Sequence, residues 1–411
     1  MGQAKPLPSV LAWLLTTTTL AAAQGFSYVA RDSFYDPPRS LPKEPGSLVR
    51  SEALTGRQIP AGSRSWRIAY STTFGNGKAA SSVATVLAPT NPPAGPRPVI
   101  MFVHGTVGLT QACMPSLSTQ PFSGIPTLDR AIGAGWIIVA TDFATEGRAN
   151  SPHEYLIGEG EARSGLDSIR AARQMKELTL DRNRTVVWGH SQGGGSALWV
   201  GSVAPRYAPD IKLTGVAAIA PTTYLAKILA LQEPPAAAIR GWYAASAFSH
   251  FYPDVKFEDV IVGAEAQGIV RQVTTLCAQT DAAKVAQLVQ KFRGAIPVPD
   301  VTKGAFGKRI KQNEPSAMVE APLLVVQGLS DNVVQPSVTD AFVKDRCAAG
   351  QNLDYWVVHG ATHQSIVFPG SPLDPELFNW TRDRFDGMPQ GPGCHARVIM
   401  GPIASGSHRR H

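Results

Sequence analysis

The sequence predicts an α/β protein in which a mostly parallel central sheet is covered by helices on both faces. Continuous apolar runs such as residues 99–103 alternate with helical segments such as residues 160–175, where apolar side chains recur every three or four positions. The alternation stops between residues 222 and 317, where the pattern is mainly helical and rich in apolar and aromatic residues. We therefore expect a helical cap over 222–317, inserted between two parts of one core, 24–221 and 318–404.

The other elements follow from the same patterns in chain order. Residues 24–60 contain several prolines and predict an irregular arm, and Gly75-Asn76-Gly77 between two β-prone runs predicts a hairpin. The strand at 353–358 is expected to be the last one, followed by a Pro/Gly-rich tail that is disordered over 405–411. Strands are also expected at 67–73, 82–87, 136–140, 214–220 and 322–327, and helices at 127–134, 281–292, 337–348 and 375–385.

The first 23 residues are typical of a signal peptide. Lys5 precedes an apolar run over 7–20, and Ala21-Ala22-Ala23 has the small residues of a cleavage site, so the mature chain is expected to begin at Gln24. No later stretch reaches the ~18 apolar residues that a transmembrane helix needs. We expect a protein that is secreted or periplasmic.

Charge and motif content favour no nucleic-acid, metal or nucleotide partner. The formal net charge is +7, but the basic residues are scattered, which indicates a solvated basic surface. The run Gly193-Gly194-Gly195 is not followed by the Lys-Ser/Thr pair of a phosphate-binding loop. The pair His359 and His363 lacks the helical setting and the further ligand of a zinc site, so no cofactor is expected.

Residues 185–195 combine a short apolar strand, a sharp turn and a helix start rich in small residues. The turn, Gly189-His190-Ser191-Gln192-Gly193, is a G-x-S-x-G motif in the strand–turn–helix setting that presents a nucleophilic serine. Its two outer glycines leave room where side chains would crowd the turn. Ser191 is therefore the predicted nucleophile.

A serine hydroxyl needs a base to remove its proton and an acid to orient that base. On a sheet of this kind the three groups follow one another as serine, acid and histidine, each on a loop after a strand. Asp331 follows the strand at 322–327 and His363 follows the strand at 353–358, so Ser191, Asp331 and His363 are the predicted triad. His359 is the alternative base and Asp142 the alternative acid.

Two backbone N–H groups should hold the oxyanion that forms when the serine attacks. One is expected from Gln192, the residue after the nucleophile, and the other from Thr106, in the loop after the 99–103 strand. His190 is expected to be a packed structural histidine, and His104 to brace the loop that carries Thr106.

The mature chain holds an even number of cysteines: Cys113, Cys277, Cys347 and Cys394. In an oxidising compartment this favours two disulfides, for which three pairings are possible. The alternative is a set of buried free thiols.

With these residues assembled, the sequence resembles the secretory lipase family of α/β-hydrolases. The ordered triad, the segment His104-Gly105-Thr106 with Cys113 shortly after it, and Cys277 in the helical insert carry the resemblance, as do Cys347 and the tail up to Cys394. The resemblance implies an α/β-hydrolase fold over nearly the whole mature chain and a cap that forms the acyl pocket. It also implies the disulfides Cys113–Cys277 and Cys347–Cys394. Gln192 and the triple glycine after it depart from the family pattern.

The function expected from these residues is hydrolysis of carboxylic esters through an acyl-enzyme on Ser191. The substrate would be a small-molecule or lipid ester, with a lipid–water interface as a possible setting, and both a lipase and a shorter-chain carboxylesterase fit. The alternatives are a non-catalytic binding protein of the same fold and an acyltransferase that uses the same triad. Asn183 and Asn379 lie in glycosylation sequons, and the sequence predicts neither their occupancy nor the oligomeric state.

Overall fold

The computed structural model describes residues 27–148, 150–292 and 294–401; the expected signal peptide and the tail at 405–411 lie outside these residues. The strands are β1 (Leu48–Ala53), β2 (Ser63–Thr73), β3 (Ala79–Pro89), β4 (Arg97–Val103), β5 (Ile137–Thr141), β6 (Leu180–His190), β7 (Leu213–Ile219), β8 (Leu323–Gly328), β9 (Leu353–Val358) and β10 (Cys394–Ile399). The helices are α1 (Leu128–Gly133), α2 (Gly158–Ala172), α3 (Gln192–Tyr207), α4 (Leu225–Ala230), α5 (Pro234–Phe251), α6 (Phe257–Val260), α7 (Ala264–Val273), α8 (Ala282–Val289), α9 (Gly304–Gln312), α10 (Pro336–Ala348) and α11 (Leu373–Phe385).

The strands form one sheet in the order β1-β2-β3-β5-β4-β6-β7-β8-β9-β10, counted over the described residues. The pairs β1–β2, β2–β3 and β3–β5 are antiparallel, and all pairs from β5 to β10 are parallel. The carboxyl ends of these parallel strands therefore lie at one edge of the sheet, where their loops meet. The predicted fold class, a mostly parallel sheet between helices, is confirmed.

The core lies on both faces of the sheet because its central strands carry continuous apolar runs, such as residues 99–103 in β4. In β4, Val99, Met101 and Val103 belong to the apolar cluster under α2 and α3, and Ile100 and Phe102 belong to the cluster under α1 and α11. Side chains of a strand alternate between its two faces, so a continuous apolar run supplies both clusters at once. Because both faces are buried, the central strands appear in the sequence as continuous apolar runs and can be predicted from it.

Both ends of the sheet correct the sequence analysis. The expectation of an irregular arm over 24–60 is wrong in part, because the arm contains β1, which pairs with β2 beyond it. The expectation that 353–358 is the last strand is also wrong, because β10 pairs with β9. None of the side chains of β1 is fully buried, and five of the six residues of β10 are exposed. Edge strands with so little burial carry no apolar pattern, so hydrophobic periodicity in the sequence does not predict them.

Helices α4 to α9 fill the chain between β7 and β8. They surround an apolar cluster of their own, to which the core contributes Leu109, Tyr155 and Ile157. Its buried members include Leu225, Trp242, Phe248, Val270, Leu288 and Phe306. Through these three residues, helices α4 to α9 pack against the loops at the carboxyl edge of the sheet.

Two disulfides connect distant segments, Cys113–Cys277 and Cys347–Cys394, and these are the pairings that the resemblance implies. The first joins the loop after β4 to the segment between α7 and α8, where the Ala278 N–H also donates to the Val107 carbonyl oxygen at 2.8 Å. The second joins the end of α10 to the start of β10. No helix in the described part of the chain is long and apolar enough to cross a membrane.

Candidate active site

Ser191 lies on the turn between β6 and α3 with φ 60° and ψ −119°, a conformation that non-glycine residues rarely adopt. The turn is held on both sides, because the Ser191 N–H donates to the Ile219 carbonyl oxygen at 2.9 Å and the Ser191 carbonyl accepts from the Thr222 N–H at 3.0 Å. A Cβ on Gly189 would overlap the backbone of Gly193. The glycines are therefore required by the close approach of strand and helix, as the motif predicts.

Ser191, His363 and Asp331 form one hydrogen-bonded chain. The Ser191 Oγ and the His363 Nε2 are 2.9 Å apart, and the His363 Nδ1 and the Asp331 Oδ2 are 2.7 Å apart. Asp331 follows β8 and His363 follows β9, so the carboxyl edge of the parallel sheet brings both loops to the turn after β6. The Asp331 and His363 side chains are buried.

The Asp331 carboxylate is held in its ionised form. Burial on its own raises the pKa of Asp331, but the hydrogen bond and charge of His363 and the N–H groups of Val333 and Val334 outweigh it and hold the pKa below its usual value. Those N–H groups donate to Oδ1 at 2.8 and 2.9 Å, and the Gln327 amide donates to Oδ2 at 3.2 Å. At neutral pH the carboxylate can therefore accept a hydrogen bond from the imidazole and stabilise the positive charge of the imidazolium when it forms.

The alternative base and the alternative acid lie elsewhere. The side chain of His359 is exposed just after β9, and the backbone N–H of His359 donates to the Ile399 carbonyl oxygen at 2.9 Å. Asp142 is buried against Ser116, whose N–H donates to it at 3.1 Å and whose hydroxyl donates to its second oxygen. Neither group contacts Ser191 in the described part of the chain.

His190 is buried and supports the loop of His363. Its Nε2–H donates to the His363 carbonyl oxygen at 2.8 Å. Burial, followed by the charge of His363, lowers the pKa of His190 to about 3, so the ring stays neutral. His104 is also buried, and its Nδ1–H donates to the Gly105 carbonyl oxygen at 2.7 Å. Both rings thus brace the loops around Ser191 by hydrogen bonds to carbonyl oxygens.

The loop after β4 passes directly beside Ser191. A Cβ on Gly105 would lie 3.2 Å from the His190 carbonyl oxygen and 3.4 Å from the Ser191 Cβ, so the loop runs in close contact with the turn. Over residues 27–148, 150–292 and 294–401, the backbone N–H groups of Thr106 and Gln192 have no hydrogen-bond acceptor. Two unsatisfied donors next to a serine are the components of an oxyanion hole.

A buried polar network lies below the turn, and the sequence did not predict it. The Gln192 amide nitrogen lies 2.6 Å from the Glu161 Oε1 and 3.1 Å from the His153 Nε2, and the Ser196 hydroxyl donates to the Glu161 Oε2 at 2.6 Å. Burial raises the pKa of Glu161 to about 7. The only indication in the sequence was the many small residues of α2 (Gly158, Gly160, Ala162, Ser164 and Gly165), which let α2 and α3 approach closely and bury polar side chains between them.

Comparison with known proteins places the chain among lipases. A sequence model of the secretory lipase family matches residues 118–393. A probable inactive lipase of Mycobacterium tuberculosis is 25% identical over 87% of this chain and 82% of its own, and a secreted triacylglycerol lipase of Malassezia globosa is 24% identical over 93% and 89%. The closed state of Candida antarctica lipase A superimposes with a TM-score of 0.72 at 20% identity, covering 92% of this chain and 93% of that one.

Proposed function

This chain belongs to the secretory lipase family, and from that premise we propose that it hydrolyses carboxylic esters through an acyl-enzyme formed on Ser191. The observation that supports the proposal is the chain of hydrogen bonds from the Ser191 Oγ to the His363 Nε2, 2.9 Å, and from the His363 Nδ1 to the Asp331 Oδ2, 2.7 Å. Lipid esters are the substrate class that the family implies.

In the first half of the reaction, His363 takes the Ser191 hydroxyl proton on Nε2 while Oγ attacks the ester carbonyl carbon. The carbonyl oxygen becomes an oxyanion, which the N–H groups of Gln192 and Thr106 bind. The ionised Asp331 stabilises the imidazolium. When the oxyanion collapses, the ester C–O bond breaks and the leaving alcohol takes the proton from His363, which leaves an acyl group on Ser191.

In the second half, His363 removes a proton from water while the water oxygen attacks the acyl carbon. Collapse of the second oxyanion breaks the bond to Oγ, and His363 returns the proton to Ser191. The carboxylic acid is released and the three side chains are back in their starting protonation states.

We propose that residues 222–317 form the cap that bounds the acyl pocket. Two hydrogen bonds join it to the loop of Asp331: the Gln232 amide donates to the Val333 carbonyl oxygen at 2.6 Å, and the Gln335 amide donates to the Leu231 carbonyl oxygen at 3.0 Å. The cap therefore borders the proposed acid directly. It also lies beside the oxyanion loop, through the disulfide after β4.

We also propose that the protein is exported and that residues 1–23 are removed on the way. Support comes from the two disulfides, which persist in oxidising compartments, and from relatives that are named secreted lipases. Sequencing the amino terminus of the protein recovered from culture medium tests this: Gln24 is expected as the first residue, and a chain that starts at Met1 contradicts it.

The decisive experiment is Ser191→Ala, assayed with p-nitrophenyl esters of several acyl lengths. Activity should disappear while the thermal unfolding curve stays unchanged. Ser202→Ala is a matched control, because Ser202 lies on α3, the helix that follows Ser191, and among the described residues its hydroxyl bonds only to the Trp199 carbonyl oxygen. Retained hydrolysis in the Ser191 variant would refute the assignment of the nucleophile.

The competing function is a non-catalytic binding protein, which one relative at 25% identity favours because it is named a probable inactive lipase. A fluorophosphonate probe separates the two functions, since it labels a serine only when a base activates it. Labelling that maps to Ser191 supports the enzyme, and absence of labelling in folded protein supports the binding protein. Adding an alcohol and analysing the products separates hydrolysis from acyl transfer.

A further inference from the structure

We propose that His153 is a positioning residue that holds the two oxyanion donors at a fixed distance from each other; this rests on the proposed function. His153 is fully buried between the loop that carries Thr106 and the start of α3, where Gln192 lies. Its Nδ1 is 3.0 Å from the Leu109 carbonyl oxygen on one side, and its Nε2 is 3.1 Å from the Gln192 amide nitrogen on the other. One ring thus touches both parts of the proposed oxyanion hole.

The two contacts determine the state of the ring. A carbonyl oxygen can only accept, so the His153 Nδ1 carries the proton and donates it to Leu109. Burial lowers the pKa of His153 to about 3, so Nε2 keeps its lone pair and accepts a hydrogen bond from the Gln192 amide. A reversed Gln192 amide would place its oxygen against the lone pair of Nε2 and is therefore excluded.

Glu161 fixes the second hydrogen of the same amide. The Gln192 nitrogen lies 2.6 Å from the Glu161 Oε1, so both amide hydrogens are engaged, one by each neighbour. The Glu161 Oε2 accepts from the Ser196 hydroxyl at 2.6 Å, one turn further along α3. The side chain of Gln192 is thereby anchored, and with it the first residue of the helix, whose backbone N–H is the proposed donor.

The loop that carries Thr106 is held by His153 and by residues next to it in sequence. The His153 N–H donates to the Leu109 carbonyl oxygen at 2.9 Å, and the Tyr155 hydroxyl lies 3.1 Å from the Thr106 Oγ1. The His153 ring stacks on Phe143, with centroids 5.7 Å apart and planes 15° apart. The segment 153–161 therefore contacts Thr106 and Gln192 at once and keeps the ring from rotating.

Such a bridge matters because an oxyanion hole works through donors that are in place before charge develops. A displacement of a reacting group by ~1 Å can lower the rate roughly 100-fold. Gln192 also replaces the residue expected from the family pattern, and its anchored side chain gives a physical reason for that departure. If His153 only filled space, its loss would affect folding but not the geometry around the oxyanion.

The test begins with His153→Asn, which keeps an amide near the place of Nδ1 and removes the group that reaches Gln192. We expect kcat for a p-nitrophenyl ester to fall between roughly 10-fold and 100-fold, with KM changed less than about twofold. A trifluoromethyl ketone, whose adduct with Ser191 carries an oxyanion, should bind more weakly by about the same factor. His395→Asn is the matched control, since His395 is exposed on the edge strand β10, outside the proposed cap and triad, and the kcat of that variant should not change.

A double-mutant cycle with Gln192→Met isolates the bond itself. The losses in kcat should be clearly less than additive, because each single variant already removes the contact between the two side chains. Unchanged kcat, a loss in kcat without weaker ketone binding, or additive losses would each overturn the proposal. If the His153 variant does not fold, Gln192→Met cuts the same bond from the other side, and unchanged kcat in that variant has the same consequence.

Failure of this inference is distinguishable from failure of the proposed function. If only His153 has been misassigned, the wild type hydrolyses esters, Ser191→Ala does not, and His153→Asn keeps the wild-type kcat. If the proposed function is wrong, the wild type itself is inactive or Ser191→Ala retains activity.

Discussion

Replacing Asp331 with Asn should abolish most activity, because the structure dictates which way the new amide points. Oδ1 accepts two backbone N–H groups, from Val333 and Val334 at 2.8 and 2.9 Å, so the amide oxygen of Asn must occupy that position. The amide nitrogen then replaces Oδ2, which is 2.7 Å from the His363 Nδ1. It donates to Nδ1, so the imidazole proton moves to Nε2, and Nε2 can no longer accept the proton of Ser191.

The expected loss follows from this change of tautomer. In serine hydrolases that use the same arrangement, the corresponding substitution lowers kcat about 10⁴-fold, which is about 5 kcal/mol of transition-state stabilisation. Stability should change little by comparison, because the backbone N–H bonds to Oδ1 are kept. Some stability should still be lost, because the Gln327 amide, which donates to Oδ2 at 3.2 Å, would face the NH2 group of Asn instead of an acceptor.

The assay is kcat for a p-nitrophenyl ester together with thermal unfolding of the same preparation. Asp142→Asn is the matched control, since it makes the same substitution in the alternative acid. Burial raises the pKa of Asp142 to about 7, and its partner Ser116 can donate or accept, so a neutral amide should be tolerated with kcat within about threefold of wild type. An Asp331→Asn enzyme within tenfold of wild type, or an inactive Asp142→Asn enzyme, would refute the reasoning.

Three further predictions concern stability, each measured by urea unfolding. Gly193→Ala would force a Cβ into the last carbonyl oxygen of β4 and should lower the free energy of unfolding by about 3 kcal/mol or more; a neutral effect contradicts the tight turn. Burial raises the pKa of Glu154 from 4.5 to about 8, so the native state keeps a proton that the unfolded state has lost. Stability should then fall as pH rises through that window, by up to about 1.4 kcal/mol per pH unit for this one group. Glu161 and Asp142, whose pKa values burial raises to about 7, add a slope of the same sign, so Glu154→Gln should make the fall shallower by the share of Glu154; an unchanged slope contradicts it. Replacing Cys113 and Cys277 with Ala opens a loop of 164 residues, worth up to about 5 kcal/mol, and should cost more than opening the second disulfide, which spans 47.

The centre of the fold could be predicted from the sequence because burial leaves a pattern there. β4 and β9 are buried by neighbours on both faces, and their apolar runs match the observed strands closely. β1 and β10 are held at the edges of the sheet by backbone hydrogen bonds, and backbone pairing does not depend on the polarity of the side chains. A periodicity argument therefore finds the core strands and misses the sheet edges.

The candidate site divides in the same way. Ser191, Asp331 and His363 were predicted because a parallel sheet brings the loops after its strands together, so their order along the chain is sufficient. His153 and Glu161 were not predicted, because their partners are side chains of a different segment and no spacing rule connects them. A buried polar group is recognised by the donor or acceptor that it meets, which only the three-dimensional packing supplies.

The order of the proposed triad along the chain also has a consequence for biosynthesis. Ser191 precedes the helical insertion, whereas His363 is 172 residues further on. At roughly 5–20 residues per second, a ribosome makes the nucleophile roughly ten to thirty seconds before the base that activates it. Throughout that interval the proposed nucleophile has no base, and the same would hold while an exported chain crosses a membrane with its carboxyl end still inside. If the chain is exported as proposed, it would become active only after nearly the whole of it has left the membrane of the cell that makes it.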